Sequence, residues 1–305
     1  KLASHTCPTS WIMRICRFLD AAGVARCGAL QPDGAIELLE GDPLQGPLAL
    51  TGLCISVEKI QGWLPPIEVA DVLCVGLNYR RHAVESKMAI PDRPVIFMKP
   101  RSCVVGHLHD IPHPTVTQEL DYEVELAIVI GKRCKNVTSE EALQYVLGFT
   151  VANDVSARDW QIRLGGGQWT RGKIFEGFCP LGPVLTTTDE IGDVNALRMR
   201  TRLNDQVVQD SSTSDLIFNV EQVISYLSQG TVLAPGTVIL TGTPEGVGLG
   251  RNPQLWMKPG DIVEVEIERI GKLRNTVVAE VPPSSHANAM IERPADTTTV
   301  APPAA

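Results

Sequence analysis

No stretch of the 305 residues reaches the roughly 18 consecutive apolar positions of a membrane-spanning helix, and the N-terminus lacks the apolar core of a secretory signal. Basic residues are in the minority. There are 27 Lys and Arg against 35 Asp and Glu, a net charge of -8, and neither sign forms a long run. That balance argues against nucleic acid or an anionic membrane surface as the main partner. The eight cysteines contain no CxxC pair, and none falls in the last third of the chain. Their spacing fits neither a zinc module nor a disulfide framework. Several sit inside apolar runs, as Cys74 does in VLCVG, where a free thiol acts as a small hydrophobe. The expected compartment is cytoplasmic or another reducing one.

What is present is a chain with 44% apolar residues, able to bury the core of one large domain or of one domain and a small neighbour. Met13 opens the strand-like run MRICRF and is the expected natural start, with residues 1–12 an added leader. Short β-type runs, punctuated by PDG at 32–34 and GDP at 41–43, make residues 13–66 a small β-rich N-terminal unit that closes at Pro65 and Pro66. Residues 67–282 are the main domain. Residues 283–305, rich in Pro, Ala, Thr and Ser without periodicity, read as a disordered tail.

The main domain is organised around Glu119 to Lys132. Tyr122, Val124, Leu126, Ile128 and Ile130 alternate with Glu119, Asp121, Glu123, Glu125, Ala127 and Val129, the period of a strand. Glu123 and Glu125 share a face that turns from polar to apolar. Two like charges there call for a cation, and an oxygen-only pair suits Mg2+, Mn2+ or Ca2+ better than zinc. The alternative is a solvated strand face, which is how Glu264, Glu266 and Glu268 read in their own alternating run.

Other segments offer paired readings. His82 and Glu85 share a helical face after the strand Val72–Gly76; they form either an oriented general base or a surface ion pair. Asp154, Arg158, Asp159 and Gln161 follow an apolar strand at 149–152, as site residues or as caps of a turn. His107, His109 and His113 match no standard zinc spacing and read as loop residues. Thr138 and Glu141 predict a capped helix over 136–147, and apolar spacing predicts an amphipathic helix over 215–227. The GGG at 165–167 is a lid hinge or a plain loop. TGTPEGVGLG at 241–250 lacks any nucleotide-binding spacing and instead lets backbone approach a ligand or another segment.

Taken together, GLNYRRHAVE, IFMKP, DYEVELAIVIGK, GFTVANDVSARDWQ, QWTRGKIFEGFCPLGP, TGTPEGVG and KPGDIVEVEIERIGKLRNTV resemble, in order and register, the fumarylacetoacetate hydrolase family, nearest to its subgroup of domain-containing protein 2. The resemblance covers about residues 67 to 280. It implies an α+β, mainly β fold, a mixed β-sandwich roll forming a catalytic domain beside the small β-rich N-terminal unit, usually in a homodimer. It implies a Mg2+ or Mn2+ site on Glu123, Glu125 and Asp154, with His82 and Glu85 as the water-activating pair. Gln161 and Lys173 match residues near substrate or water, and Thr243 matches a substrate contact. Three features depart from the family pattern. Val75 stands where fumarylacetoacetate-cleaving members have a fourth carboxylate, Glu176 stands where Asp is common, and the GGG insertion is not universal.

The implied activity is a Mg2+-dependent hydrolase that cleaves a carbon-carbon bond in acylpyruvate-type diketo acids through an enolate held on the ion. The alternative is a tautomerase, isomerase or decarboxylase of 2-oxo dicarboxylic acids such as oxaloacetate or 2-hydroxyhepta-2,4-diene-1,7-dioate, since all pass through the same enolate. A binding protein without catalysis would have no use for a base aimed at a metal.

Overall fold

The computed structural model describes residues 13–281; the expected leader and tail lie outside the described residues. The chain opens with β1 (Arg14–Leu19), β2 (Ala25–Leu30), β3 (Ala35–Glu40), β4 (Ala49–Ser56) and β5 (Gly62–Leu64). It continues through β6 (Val72–Gly76), α1 (Arg80–Glu85), β7 (Val95–Lys99), β8 (Val104–Val105), β9 (Asp110–His113), β10 (Leu120–Asp121), β11 (Val124–Ile130), β12 (Val146–Asn153) and β13 (Ser156–Ala157). The last part holds β14 (Cys179–Pro180), β15 (Val184–Thr187), α2 (Thr188–Ile191), β16 (Arg198–Leu203), β17 (Gln206–Ser212), α3 (Val220–Ser228), β18 (Val238–Leu240), β19 (Ile262–Ile267) and β20 (Gly271–Ala279). Among the described residues no helix is long and apolar enough to cross a membrane.

Two sheets carry the fold, as the mixed β-sandwich reading expects. The larger runs β4-β3-β2-β1-β15-β12-β11-β18-β6-β7, with β5 beside β1; the smaller runs β17-β16-β19-β20-β9. Strands β16, β19 and β20 pack against β11 and β12. The N-terminal strands join the same large sheet, because Arg14 to Cys16 pair with Val184 to Thr186.

Strand β11 is the centre of the core. Every one of its residues is buried, so the face that alternation suggested would meet water is covered as well. This sets aside the alternative of a solvated face, and β11 starts only at Val124, one residue after Glu123. The contrast with β19 is direct: Glu264 and Glu266 stay partly exposed beside Lys272, as a solvated face should.

Two predicted helices change. Residues 136–147 form a short 3-10 turn, Ala142–Tyr145, before β12 begins at Val146. Asn136 takes a left-handed φ of 56° and its N–H donates to the Ser228 carbonyl, while its side chain accepts from Gly230 N–H. At the other end the Tyr145 carbonyl accepts from Gly131 and Lys132 N–H and Val146 pairs with Ile130, so the segment passes into the sheet instead of continuing as helix. The second helix starts at Val220 instead of Asp215. Asn219 and Gln222 form a reciprocal capping box, and Ile217 and Phe218 are held out of the helix in a bend because their N–H groups donate to Asn78.

Candidate active site

Sheet topology brings four strand ends together. β11 runs antiparallel to β12 and β18, and β6 runs parallel to β18. The start of β11 therefore meets the ends of β12, β18 and β6. Glu123 and Glu125 come from the first, Asp154 from the second, the glycine loop 241–250 from the third, and α1 with His82 and Glu85 from the fourth. Asp154 N–H donates to the Glu123 carbonyl at 2.9 Å, and the Asn153 side chain accepts from Glu123 N–H at 2.9 Å, which fixes the two acids opposite each other.

Glu123, Glu125 and Asp154 each offer a carboxylate oxygen within 4.8 Å of the others, and all three are buried. Lys173 Nζ lies 2.7 Å from both Glu123 Oε2 and Asp154 Oδ2. Arg158 Nη2 lies 2.7 Å from Glu123 Oε1, and its Nε donates to Asp121 Oδ2 at 2.8 Å. Lys99 Nζ sits 2.7 Å from Asp154 Oδ1, off the hydrogen-bonding direction, while donating to the carbonyls of Val155 and Phe178. Four carboxylates, counting Asp121, thus meet three cations.

The excess negative charge falls on Glu125. Its Oε2 accepts from Gly242 N–H at 2.7 Å, and among the described residues no cation pairs with it. Burial, followed by the nearby charges of Asp154 and Glu123, pushes its carboxyl well above the usual range. Burial also pushes Glu123 upward, but Lys173 and Arg158 outweigh it and hold that carboxyl at about 2. A buried oxygen donor set one positive partner short fits a hard divalent cation.

The catalytic candidates face the same cavity of about 480 Å³, lined by His82, Glu85, Gln161, Lys173 and Thr243 as well as the three acids. His82 Nδ1 is 3.0 Å from Glu85 Oε2, and Glu85 Oε1 accepts from Gly246 N–H at 2.9 Å. A carboxylate acceptor at Nδ1 places the proton there and leaves the lone pair on Nε2. Gln161 Oε1 accepts from Arg158 at 2.9 Å, so its amide hydrogens are the donors it has left. The Thr243 hydroxyl accepts from Gln209, whose own carbonyl oxygen takes Val124 N–H.

The glycine loop reaches three carboxylates with backbone alone. Gly242 donates to Glu125, Gly246 to Glu85, and Gly248 and Leu249 to the two oxygens of Asp121. Gly246 does so at φ 99°, where a Cβ would also lie 2.4 Å from the Val208 carbonyl.

The cluster at 154–161 divides between the two readings. Asp154, Arg158 and Gln161 join the site, while Asp159 caps Trp160 N–H and accepts from Thr117 at 2.6 Å. The histidines at 107, 109 and 113 form no metal cluster among the described residues, and His107 Nδ1 accepts from Arg274 N–H. Asp121 and Lys99 had no role assigned from sequence. The one available signal was charge: buried acids at a strand end require cations, and Lys99 ends an apolar strand.

Comparison with known proteins covers most of the chain. The family described as fumarylacetoacetate (FAA) hydrolase C-terminal matches residues 71–278, and one described as Rv2993c-like, N-terminal matches residues 13–66. A Dictyostelium discoideum protein named fumarylacetoacetate hydrolase domain-containing protein 2 homolog is 48% identical over 221 residues, 70% of this chain and 72% of that protein. A human protein named as a mitochondrial oxaloacetate tautomerase is 47% identical over 217 residues, 71% of this chain and 69% of that protein. Among solved structures, a 5-carboxymethyl-2-hydroxymuconate delta-isomerase from Mycobacterium smegmatis superposes with a TM-score of 0.78 at 37% identity, covering 88% of this chain and 100% of that one. With a family match over two thirds of its length and relatives of this similarity, the chain belongs to the fumarylacetoacetate hydrolase family.

Proposed function

We propose that this protein is a divalent-metal-dependent keto–enol tautomerase of 2-oxo acids, oxaloacetate or a close analogue, with double-bond isomerisation of hydroxymuconate-type acids as the same chemistry on a longer chain. The observation that carries the reading is the His82–Glu85 pair at the wall of the cavity that holds Glu123, Glu125 and Asp154. The relatives named as tautomerase and isomerase support moving a proton over cleaving a carbon-carbon bond. Hydrolysis of an acylpyruvate, the activity expected from sequence, becomes the second reading; it uses the same base on water.

A bound Mg2+, or Mn2+ or Ca2+, would be held by Glu123, Glu125 and Asp154 and would supply positive charge where a 2-oxo acid develops an enolate oxygen. The chain's own part begins with His82. Nε2 takes a proton from the carbon next to the 2-oxo group and returns it to the enolate oxygen, giving the enol, or runs the reverse, while Glu85 holds the ring and stabilises its charged form. Gln161 donates an amide hydrogen to the reacting acid, Lys173 and Arg158 keep Glu123 ionised, and Thr243 contacts the substrate from the cavity lining. The free thiols at Cys16, Cys74, Cys103, Cys134 and Cys179 support a reducing compartment.

The test follows oxaloacetate in its enol form by ultraviolet absorbance, with mass spectrometry on the same sample and an EDTA control. Metal-dependent loss of the enol signal at unchanged mass is the expected result. Two fragment acids from acetylpyruvate, with no acceleration of oxaloacetate enol decay, would replace the tautomerase by the hydrolase.

A further inference from the structure

Helix α1 carries the proposed base and has little of its own to hold it in place. It is six residues long, a length that does not persist alone in water. Its N-cap residue, Tyr79, gives the first turn no side-chain hydrogen bond, and of the helix's own side chains only His82 and Ala83 are buried. Val84 is 77% exposed, so no apolar stripe pins the helix to the core. The chain also enters it against a local preference, because Leu77 takes a left-handed φ of 50°. Contacts from elsewhere must fix it.

Most of those contacts come from the segment between β17 and α3. Asn78, fully buried, donates from Nδ2 to the Thr241 carbonyl at 2.7 Å and to the Phe218 carbonyl at 3.1 Å. Its Oδ1 accepts Phe218 N–H at 2.9 Å, and its main-chain carbonyl accepts Ile217 N–H at 2.8 Å. Tyr79 forms a β-bridge with Leu216, and the Arg80 guanidinium donates to the Leu216 carbonyl. Asp215 Oδ2 then accepts Arg81 N–H at 3.0 Å, one of the first-turn donors that a helix cannot satisfy by itself. Asp215 stands on firm ground. It ends the 3-10 turn Thr213–Asp215, where the buried Thr213 hydroxyl donates to the Val194 carbonyl and accepts Leu197 N–H, each at 2.8 Å.

We infer that Asp215 is a positioning residue for the proton transfer: it caps α1 from 134 residues away and so holds the His82–Glu85 pair at the cavity wall. The inference rests on the proposed role of His82 and adds the residue that keeps that base in place. A carboxylate at the start of a helix also opposes the positive end of its dipole. Asp215 itself does not line the cavity. Glu123, Glu125 and Asp154 stand on β11 and β12 or directly beside them, so losing the cap should disturb the base and leave the acids where they are. Asn serves as a cap as well as Asp does, whereas Ala cannot, and this separates the hydrogen bond from the charge.

The test compares Asp215→Ala and Asp215→Asn in the oxaloacetate enol assay with Mg2+, beside calorimetric Mg2+ binding and residue-resolved amide exchange by NMR. Asp215→Ala should lower kcat by about five- to tenfold, the scale of a lost cap, with KM and Mg2+ affinity changed by less than about twofold. Asp215→Asn should keep at least about half of the original kcat. In a Glu85→Ala background the Asp215→Ala change should cost less than about twofold, because the pair it positions is already broken. A kcat unchanged in Asp215→Ala, an equal loss in Asp215→Asn, or the full loss repeated in the Glu85→Ala background overturns the inference. Amide exchange decides it on the unmodified protein as well. Arg81 N–H should exchange at least about tenfold more slowly than an unstructured amide and lose that protection in Asp215→Ala. Enol turnover with an unprotected Arg81 amide would overturn the cap alone, whereas no turnover in the unmodified protein would overturn the functional reading and with it the role given to Asp215.

Discussion

Replacing Lys99 by Met tests whether the buried charge cluster is held by ion pairs. The Lys99 ammonium is fully buried, 2.7 Å from Asp154 Oδ1, and donates to the carbonyls of Val155 and Phe178. At an effective dielectric constant of about 20, unit charges at that distance attract by roughly 6 kcal/mol. Removing one member of a buried pair typically costs about 3–5 kcal/mol, and each orphaned carbonyl adds about 1 kcal/mol. Asp154 keeps Lys173, which limits the loss. A net destabilisation of about 4 kcal/mol is expected, a drop in Tm on the order of 10 °C for a domain of this size. The variant also makes the cluster more negative, so Mg2+ should raise its Tm by more than it raises that of the unmodified protein. Thermal unfolding with EDTA and with Mg2+ reads both numbers. A Tm within 1 °C of the original, or a smaller Mg2+ increment in Lys99→Met, would refute the charge reasoning.

Glu125 has no cationic partner among the described residues, so Glu125→Gln should leave the metal-free Tm unchanged or higher while abolishing the Mg2+-dependent increment; a retained increment would move the metal elsewhere. Glu85→Ala should lower kcat by about 10²-fold or more with little change in Mg2+ binding, and an unchanged kcat in the enol assay would remove His82 from the proton-transfer role. His107 contributes a stability term that depends on pH. Burial first, and then Arg274, lower its pKa from 6.5 to about 4, so the folded state favours the neutral ring. That stability is complete above pH 6.5 and is lost as pH falls towards 4. The full shift would correspond to about 3 kcal/mol, but the ring is partly exposed, and about 1–2 kcal/mol is expected. Denaturation midpoints of His107→Gln and the unmodified protein should converge over that window, and parallel curves would show that the ring titrates as it does in water.

The legible part of this protein was the set of strands and the acids at their ends. Val72–Gly76, the run after Glu123 and the strand before Asp154 follow from period-two patterning and apolar runs, which a central strand imposes strongly. What the pattern left open was environment. Glu123 and Glu125 look on paper like Glu264 and Glu266, and only the packing of the second sheet over β11 separates a buried acidic cluster from a solvated edge. The failed helix at 136–147 had a genuine capping signal; it lost to pairing of its last residues, Tyr145 and Val146, with the end of β11, which no local window contains. Lys99 was invisible for the same reason. Its partners are 55 to 79 residues away.

The glycine loop has a consequence for how this site tolerates change. Its donors to Glu85, Asp121 and Glu125 are main-chain N–H groups, which only a replacement by proline can delete. Drift at most loop positions would therefore leave the acids anchored. Gly242, Gly246, Gly248 and Gly250 are the exception, since any side chain there collides with Asn78, Val208, Leu255 or Glu85. Saturation mutagenesis read out by activity should find the loop permissive except at those four glycines and at Thr243, with most of the sensitivity in residues that carry no functional group at all.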